Sequence, residues 1–254
     1  PGIQNMRLLI AGGNRQQGGL CLAYPQVRDH FRRYFLEFLG LGDFAGLFVC
    51  LRSQSKPADF ADQYGFNTPV REDFQARYGI DIRQEDFDLQ AWRDLLGAYL
   101  TLFLTGFEQS SISGEYVWLS ASPRSDVIGP PMGNTTLDWR RWVTTGTIDE
   151  LIINQNSSQC PSMWHQLWPM QGGYGYRQNY ISGNGLLLLQ DHLDTIYAPV
   201  LGERPVNFYV VRQWDERSAK EEKELTARKV VRGLVFGSFR FDNPGPVACG
   251  DWRE

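Results

Sequence analysis

The sequence predicts an α/β fold, with parallel strands covered by helices. Two observations carry that prediction. Short apolar runs alternate with segments of helical periodicity along the chain. Each strand-like run is apolar on both faces, as strands buried between two layers are.

The elements follow in order. "MRLLIAGG" (6–13) and "GGLCLAY" (18–24) are two strands close together. The helix "YPQVRDHFRRYFLEFLG" (24–40) places Val27, Phe31, Tyr34, Phe35 and Phe38 on one face, with Gly40 as a stop. The strand "GLFVCLRS" (46–53) is apolar until Arg52, and a long polar loop then runs to the helix "DLQAWRDLLGAYLTLFLTGF" (88–107). Next come strand "EYVWLSAS", helix "LDWRRWVTTG" and strand "DELIINQ". A second long loop (156–186) leads to a helix near "GLLLLQDHLDTIYAP", strand "VNFYVVRQW", a charged helix and strand "GLVFGSFRF".

The strands stop abruptly in polar residues: Arg52-Ser53, Ser120 to Ser122, Asn154-Gln155, Arg212-Gln213 and Arg240. That asymmetry suits a (β/α)8 TIM barrel, whose active face is built at strand C-terminal ends. A doubly wound sheet gives the same alternation, but it usually announces a Gly-rich phosphate turn. The stretch "GGNRQQGG" (12–19) lacks GxGxxG and GxxxxGK[ST], and no helix follows it directly. It reads as a hairpin or loop, and no cofactor is expected. About six βα units are counted when the first two strands are taken as one interrupted unit, against the eight of a closed barrel. The expectation is therefore one barrel domain over residues 1–254, incomplete on its N-terminal side.

A net charge of −4 and no Lys/Arg cluster argue against nucleic acid as the main partner. The dense charge run at 215–229 mixes both signs at helical spacing and reads as a solvated helix face. No apolar run approaches the roughly 18–20 residues of a membrane span. Cys21 and Cys50 lie in apolar runs and read as buried free thiols. Cys160 and Cys249 lie in Pro/Gly-flanked loops, where either free thiols or a disulfide between them fits. No cysteine spacing matches a zinc site with the three histidines.

The succession of elements, with "AYPQVRD" (23–29) and Asp138, Trp139, Trp142, Gly146, Ile148, Asp149 and Leu151 ahead of the final Gln or Asn, resembles the bacterial glycoside-hydrolase-like family 10 barrels. The resemblance covers nearly the whole chain. It implies a barrel lacking its first two βα units and favours an extracytoplasmic location. It also marks a departure. Family strands corresponding to "GLFVCLRS" commonly end in an acidic pair, whereas this chain reads Cys50-Leu51-Arg52-Ser53. An ordinary glycosidase needs two carboxylates, one donating a proton and one ionised. Arginine serves neither role because it does not deprotonate.

Asp126 is the acid that immediately follows a predicted central strand, so it is the candidate catalytic residue. Neighbouring Arg124 favours its charged form, which suits a nucleophile or base. The alternative is that Asp126 only anchors the turn before Gly129-Pro130-Pro131. Asp59 and Asp62 lie in a polar loop, and Asp215 and Asp242 follow the last two strands, where Asp also serves as a plain cap. Arg52, Arg124, Arg212 and Arg240 fall at or just past strand ends. Together they suit an anionic ligand such as a uronic acid, sulfate or phosphate, or else pair with Asp126, Asp215 and Asp242. The amides Asn154 and Gln155 suit hydrogen bonding to sugar hydroxyls. The loop at 157–180 concentrates Trp164, His165, Trp168, Tyr174 and Tyr176. Such aromatics stack on pyranose rings or anchor a protein contact, and the loop is expected over the strand C-terminal face.

Two functions follow as expectations. One is a glycoside-hydrolase-like barrel that binds or processes carbohydrate but is catalytically degenerate. The other is a non-catalytic accessory subunit of a larger assembly, with another protein chain docking on the aromatic loop.

Overall fold

The computed structural model describes residues 6–9, 15–44, 46–49, 65–83, 86–108, 118–121, 127–128, 135–153, 193–212 and 219–236. Strands β1 (Arg7–Leu9) and β2 (Arg15–Leu20) pair antiparallel, with Arg7 opposite Leu20 and Leu9 opposite Arg15. Residues 15–19 of the Gly-rich stretch therefore lie in an antiparallel strand. This corrects the count of six parallel units. Among the described residues these two strands form a separate sheet. The reason is geometric, since a parallel return needs a crossover of a dozen or more residues and a short connection only allows an antiparallel one.

Helix α1 (Pro25–Leu39) begins with proline at its first position, where a missing N–H costs nothing. Arg28 steadies the entry by donating to the carbonyls of Leu22 and Ala23 (2.5 and 3.2 Å). The helix stops as expected at Gly40, whose N–H donates to Leu36 O at 3.1 Å. Its apolar stripe is wider than the part that is covered. Val27 is fully buried and Phe31 and Phe35 are half-buried, but Tyr34 is 58% and Phe38 48% exposed. At 3.6 residues per turn Tyr34 and Phe38 lie rotated away from Arg32 and Phe35, which face the neighbouring helix.

Strand β3 (Gly46–Val49) follows. The long polar loop expected before residue 88 contains a helix, α2 (Thr68–Tyr78). Its local signals are a proline in the first turn and Gly79 in the left-handed conformation (φ 76°) just past its end. Only Val70 and Phe74, one turn apart, are buried on it, so its hydrophobic periodicity is weak. Asn67, at its start, donates its side-chain amide to Arg7 O (2.9 Å) and so ties α2 to β1.

Helix α3 (Leu89–Glu108) is the longest element among the described residues. Asp88 caps it, accepting from the backbone N–H groups of Gln90 (2.9 Å) and Ala91 (3.1 Å). Its N-terminal half packs Trp92, Leu95, Leu96 and Tyr99 against α2 and the residues after β2, Cys21 and Ala23. Its C-terminal half packs Leu100, Phe103, Leu104 and Phe107 into the main core. There Phe103 meets Phe31 edge-on at 6.3 Å and Phe107 meets Phe35 at 6.4 Å.

The remaining elements are β4 (Trp118–Ala121), the short antiparallel pair β5 (Val127–Ile128) and β6 (Thr135–Thr136), α4 (Trp139–Thr145) and β7 (Glu150–Ile153). A π-helical turn (Leu193–Tyr197) runs into α5 (Ala198–Glu203), followed by β8 (Asn207–Arg212), α6 (Ala219–Thr226) and β9 (Gly233–Phe236). The helix expected near 185–199 thus continues to Glu203, and its residues before Leu193 lie outside the described set.

Among the described residues five strands form one parallel sheet in chain order, β3-β4-β7-β8-β9, with helices in the crossovers. One face carries Leu47, Val49, Leu151, Phe208, Val210 and Leu234 into the helix-covered core, and Leu151, Phe208 and Val210 are fully buried there. Tyr197 packs on Phe208 at 5.3 Å and on Trp139 at 5.1 Å, joining the π-turn, α4 and β8. Strand alternation sends the intervening residues to the opposite face. On that face Phe48 is 50% exposed and Tyr209 half-buried, with the ring of Tyr209 3.4 Å from where a Cβ on Gly233 would stand.

Candidate functional site

The residues that carry the family resemblance are placed by the structure, and they build the fold. Trp139 and Trp142 are buried in the main core, and the Trp142 indole N–H donates to Thr101 Oγ1 at 2.9 Å. Gly146 ends α4 with φ 80°, a conformation that favours glycine. Ile148 is buried, and its N–H donates to Trp142 O at 3.3 Å. The Asp149 carbonyl accepts from Asn207 N at 3.1 Å, starting the β7–β8 pairing, and Leu151 is fully buried. In "AYPQVRD", Ala23 and Val27 are core residues and Arg28 holds the strand-to-helix turn. These motif residues specify packing and capping, so they bear on architecture.

The parallel sheet is described as far as Val49, Ala121, Ile153, Arg212 and Phe236. Among the described residues Val49 pairs with Ala121, Ala121 with Leu151, Ile153 with Val210 and Arg212 with Phe236.

Of the sequence-expected site residues, Arg212 is the one whose backbone is described. It is the final residue of β8 and shares the strand parity of Phe208 and Val210. Asp126, Arg52, Arg124, Asn154, Gln155, Trp164, His165, Trp168 and Arg240 lie outside the described residues, as do the loop at 157–180 and Cys50, Cys160 and Cys249. Asp59, Asp62, Asp215 and Asp242 do so too.

The described residues flanking Asp126 are nevertheless informative. Val127, the next residue, pairs with Thr136. The Thr136 hydroxyl accepts from Gln90 Nε2 at 3.1 Å, and Gln90 sits in the first turn of α3. Gly97 allows the approach, since a Cβ there would collide with Thr136 O. The β5–β6 pair is therefore anchored on the N-terminal half of α3, the helix that leads from β3 to β4.

Elsewhere the polar groups pair for structural ends. Arg77 grips Asp73 with two of its nitrogens, Nε and Nη2 (2.7 and 3.0 Å), and Tyr99 donates to the same carboxylate at 2.7 Å. Burial would raise Asp73, but these donors outweigh it and hold its carboxyl below the usual range. Burial and the adjacent carboxylate push Tyr99 well up. Arg71 grips Asp81 (3.3 and 2.7 Å) and keeps it ionised to lower pH. Cys21 is a free thiol, 1% exposed, and burial pushes it up to about 12, which leaves it unreactive. Among the described residues no group of three or more His, Cys, Asp or Glu is placed to hold a metal ion. No described helix is long and apolar enough to cross a membrane.

No family model and no curated relative matches the chain. A solved structure does. The chain is similar to the catalytic domain of a β-amylase from Paenibacillus polymyxa, a TIM-barrel glycoside hydrolase. The TM-score is 0.56 at 11% identity, over 93% of this chain and 68% of that one. At this identity the likeness is one of fold. It agrees with the α/β class and with the parallel sheet in chain order.

The sequence reading passed over Tyr209, half-buried on the sheet face opposite the helices. Its signal was present, since "NFYVVR" places Tyr209 on the parity opposite Phe208 and Val210, and a glycine stands beside it in register.

Proposed function

We propose that this chain is an incomplete (β/α) barrel that binds carbohydrate at the C-terminal ends of its parallel strands and lacks ordinary glycosidase turnover. The observation that carries the proposal is the five-stranded parallel sheet in chain order, described as far as Val49, Ala121, Ile153, Arg212 and Phe236. In the sequence, polar residues follow within a few positions of each of these. In the sequence Asn154 and Gln155 directly follow Ile153, and Arg52 and Arg124 come three residues after Val49 and Ala121. The fold likeness to a β-amylase catalytic domain supports the carbohydrate class.

In this proposal Asn154 and Gln155 bind sugar hydroxyls and Trp164 and Trp168 stack on the rings, with His165 beside them. Arg52, Arg124 and Arg240 select an anionic group such as a uronate; Arg212, on the parity of the core-facing Phe208 and Val210, is left out of this set. Asp126 is the acid on which any residual hydrolysis depends. Turnover of an aryl-glycoside and glycan panel, by the wild type and by Asp126→Asn, tests the catalytic part. No turnover is expected. Activity that survives Asp126→Asn places the chemistry elsewhere.

One observation favours a second reading, an accessory subunit. Tyr34, Phe38, Leu41 and Phe44 leave an exposed apolar surface between α1 and β3, the first strand of the parallel sheet. Co-purification of one stable partner at fixed stoichiometry, without glycan binding, supports that reading instead.

A further inference from the structure

No further inference is drawn: the strongest candidate, the exposed apolar surface patch of Tyr34, Phe38, Leu41 and Phe44 on the flank of α1 beside β3, carries nothing because nothing in the structure shows what covers it.

Discussion

The indole N–H of Trp142 donates to the hydroxyl of Thr101 across 2.9 Å, tying α4 to α3 inside the main core. Trp142 is fully buried, so water cannot replace a lost partner. Thr101→Val keeps the shape and removes the acceptor. The expected cost is about 1–3 kcal/mol, that of a buried donor left unpaired. Thr101→Ser keeps the hydroxyl and should lose much less. Urea denaturation of the three proteins checks this, and equal midpoints for Val and Thr contradict it.

Gly146 closes α4 in the left-handed conformation, and the Arg204 guanidinium occupies the space a Cβ would take. Gly146→Ala meets two penalties. The left-handed backbone alone costs about 1–2 kcal/mol for an L-residue. The second penalty is displacement of Arg204. Adding Arg204→Ala should restore only the second part, so the double variant should melt above Gly146→Ala and below the wild type.

Acid stability should depend on Asp73. Its folded carboxyl is held below the ordinary range, so its contribution is fully present above the unfolded value of about 3.9. That contribution is lost as pH falls through the folded value. Asp73→Asn should therefore be less stable than the wild type at pH 7 and show a flatter decline below about pH 4. Parallel pH–stability curves for the two proteins would count against the Arg77–Asp73–Tyr99 cluster.

The fold was legible wherever local chemistry and packing agree. The alternation of strands and helices and the cap at Gly40 could be read from residues, and the hairpin-or-loop reading of the Gly-rich stretch fits the antiparallel pairing of β1 and β2. Helix α2 could not be read from periodicity, because only Val70 and Phe74 face inward; its proline and Gly79 were the better signals. Nor could the exposure of Tyr34 and Phe38, because a stripe on a helix says nothing of how many neighbours cover it. The candidate site was read from polar residues at expected strand ends, and of these only Arg212 falls among the described residues. Which residue lines which face depends on strand parity and register, and Tyr209 shows that the polar ends alone do not supply them.

Cys21 should behave as an alkaline sensor of folding. Its thiol is raised to about 12 when folded, against about 8.5 when unfolded. The neutral thiol's contribution is complete below about pH 8.5 and is lost as pH climbs toward the folded value. Peptide mapping after alkylation at pH 8 should find Cys21 unmodified in native protein and modified in urea. Rapid native labelling would contradict the close packing of Cys21 against α2 and α3.

The central claim is carbohydrate binding at the strand C-terminal face, and tryptophan-fluorescence titration tests it most directly. The whole chain is titrated with neutral and uronate-containing oligosaccharides, alongside Trp164→Ala and Arg52→Ala. The account predicts saturable binding that is stronger for the uronates. Trp164→Ala should weaken it for both classes by tenfold or more, about 1.4 kcal/mol, while Arg52→Ala should weaken it for the uronates alone. Absence of saturable binding to either class, or binding untouched by both substitutions, contradicts it.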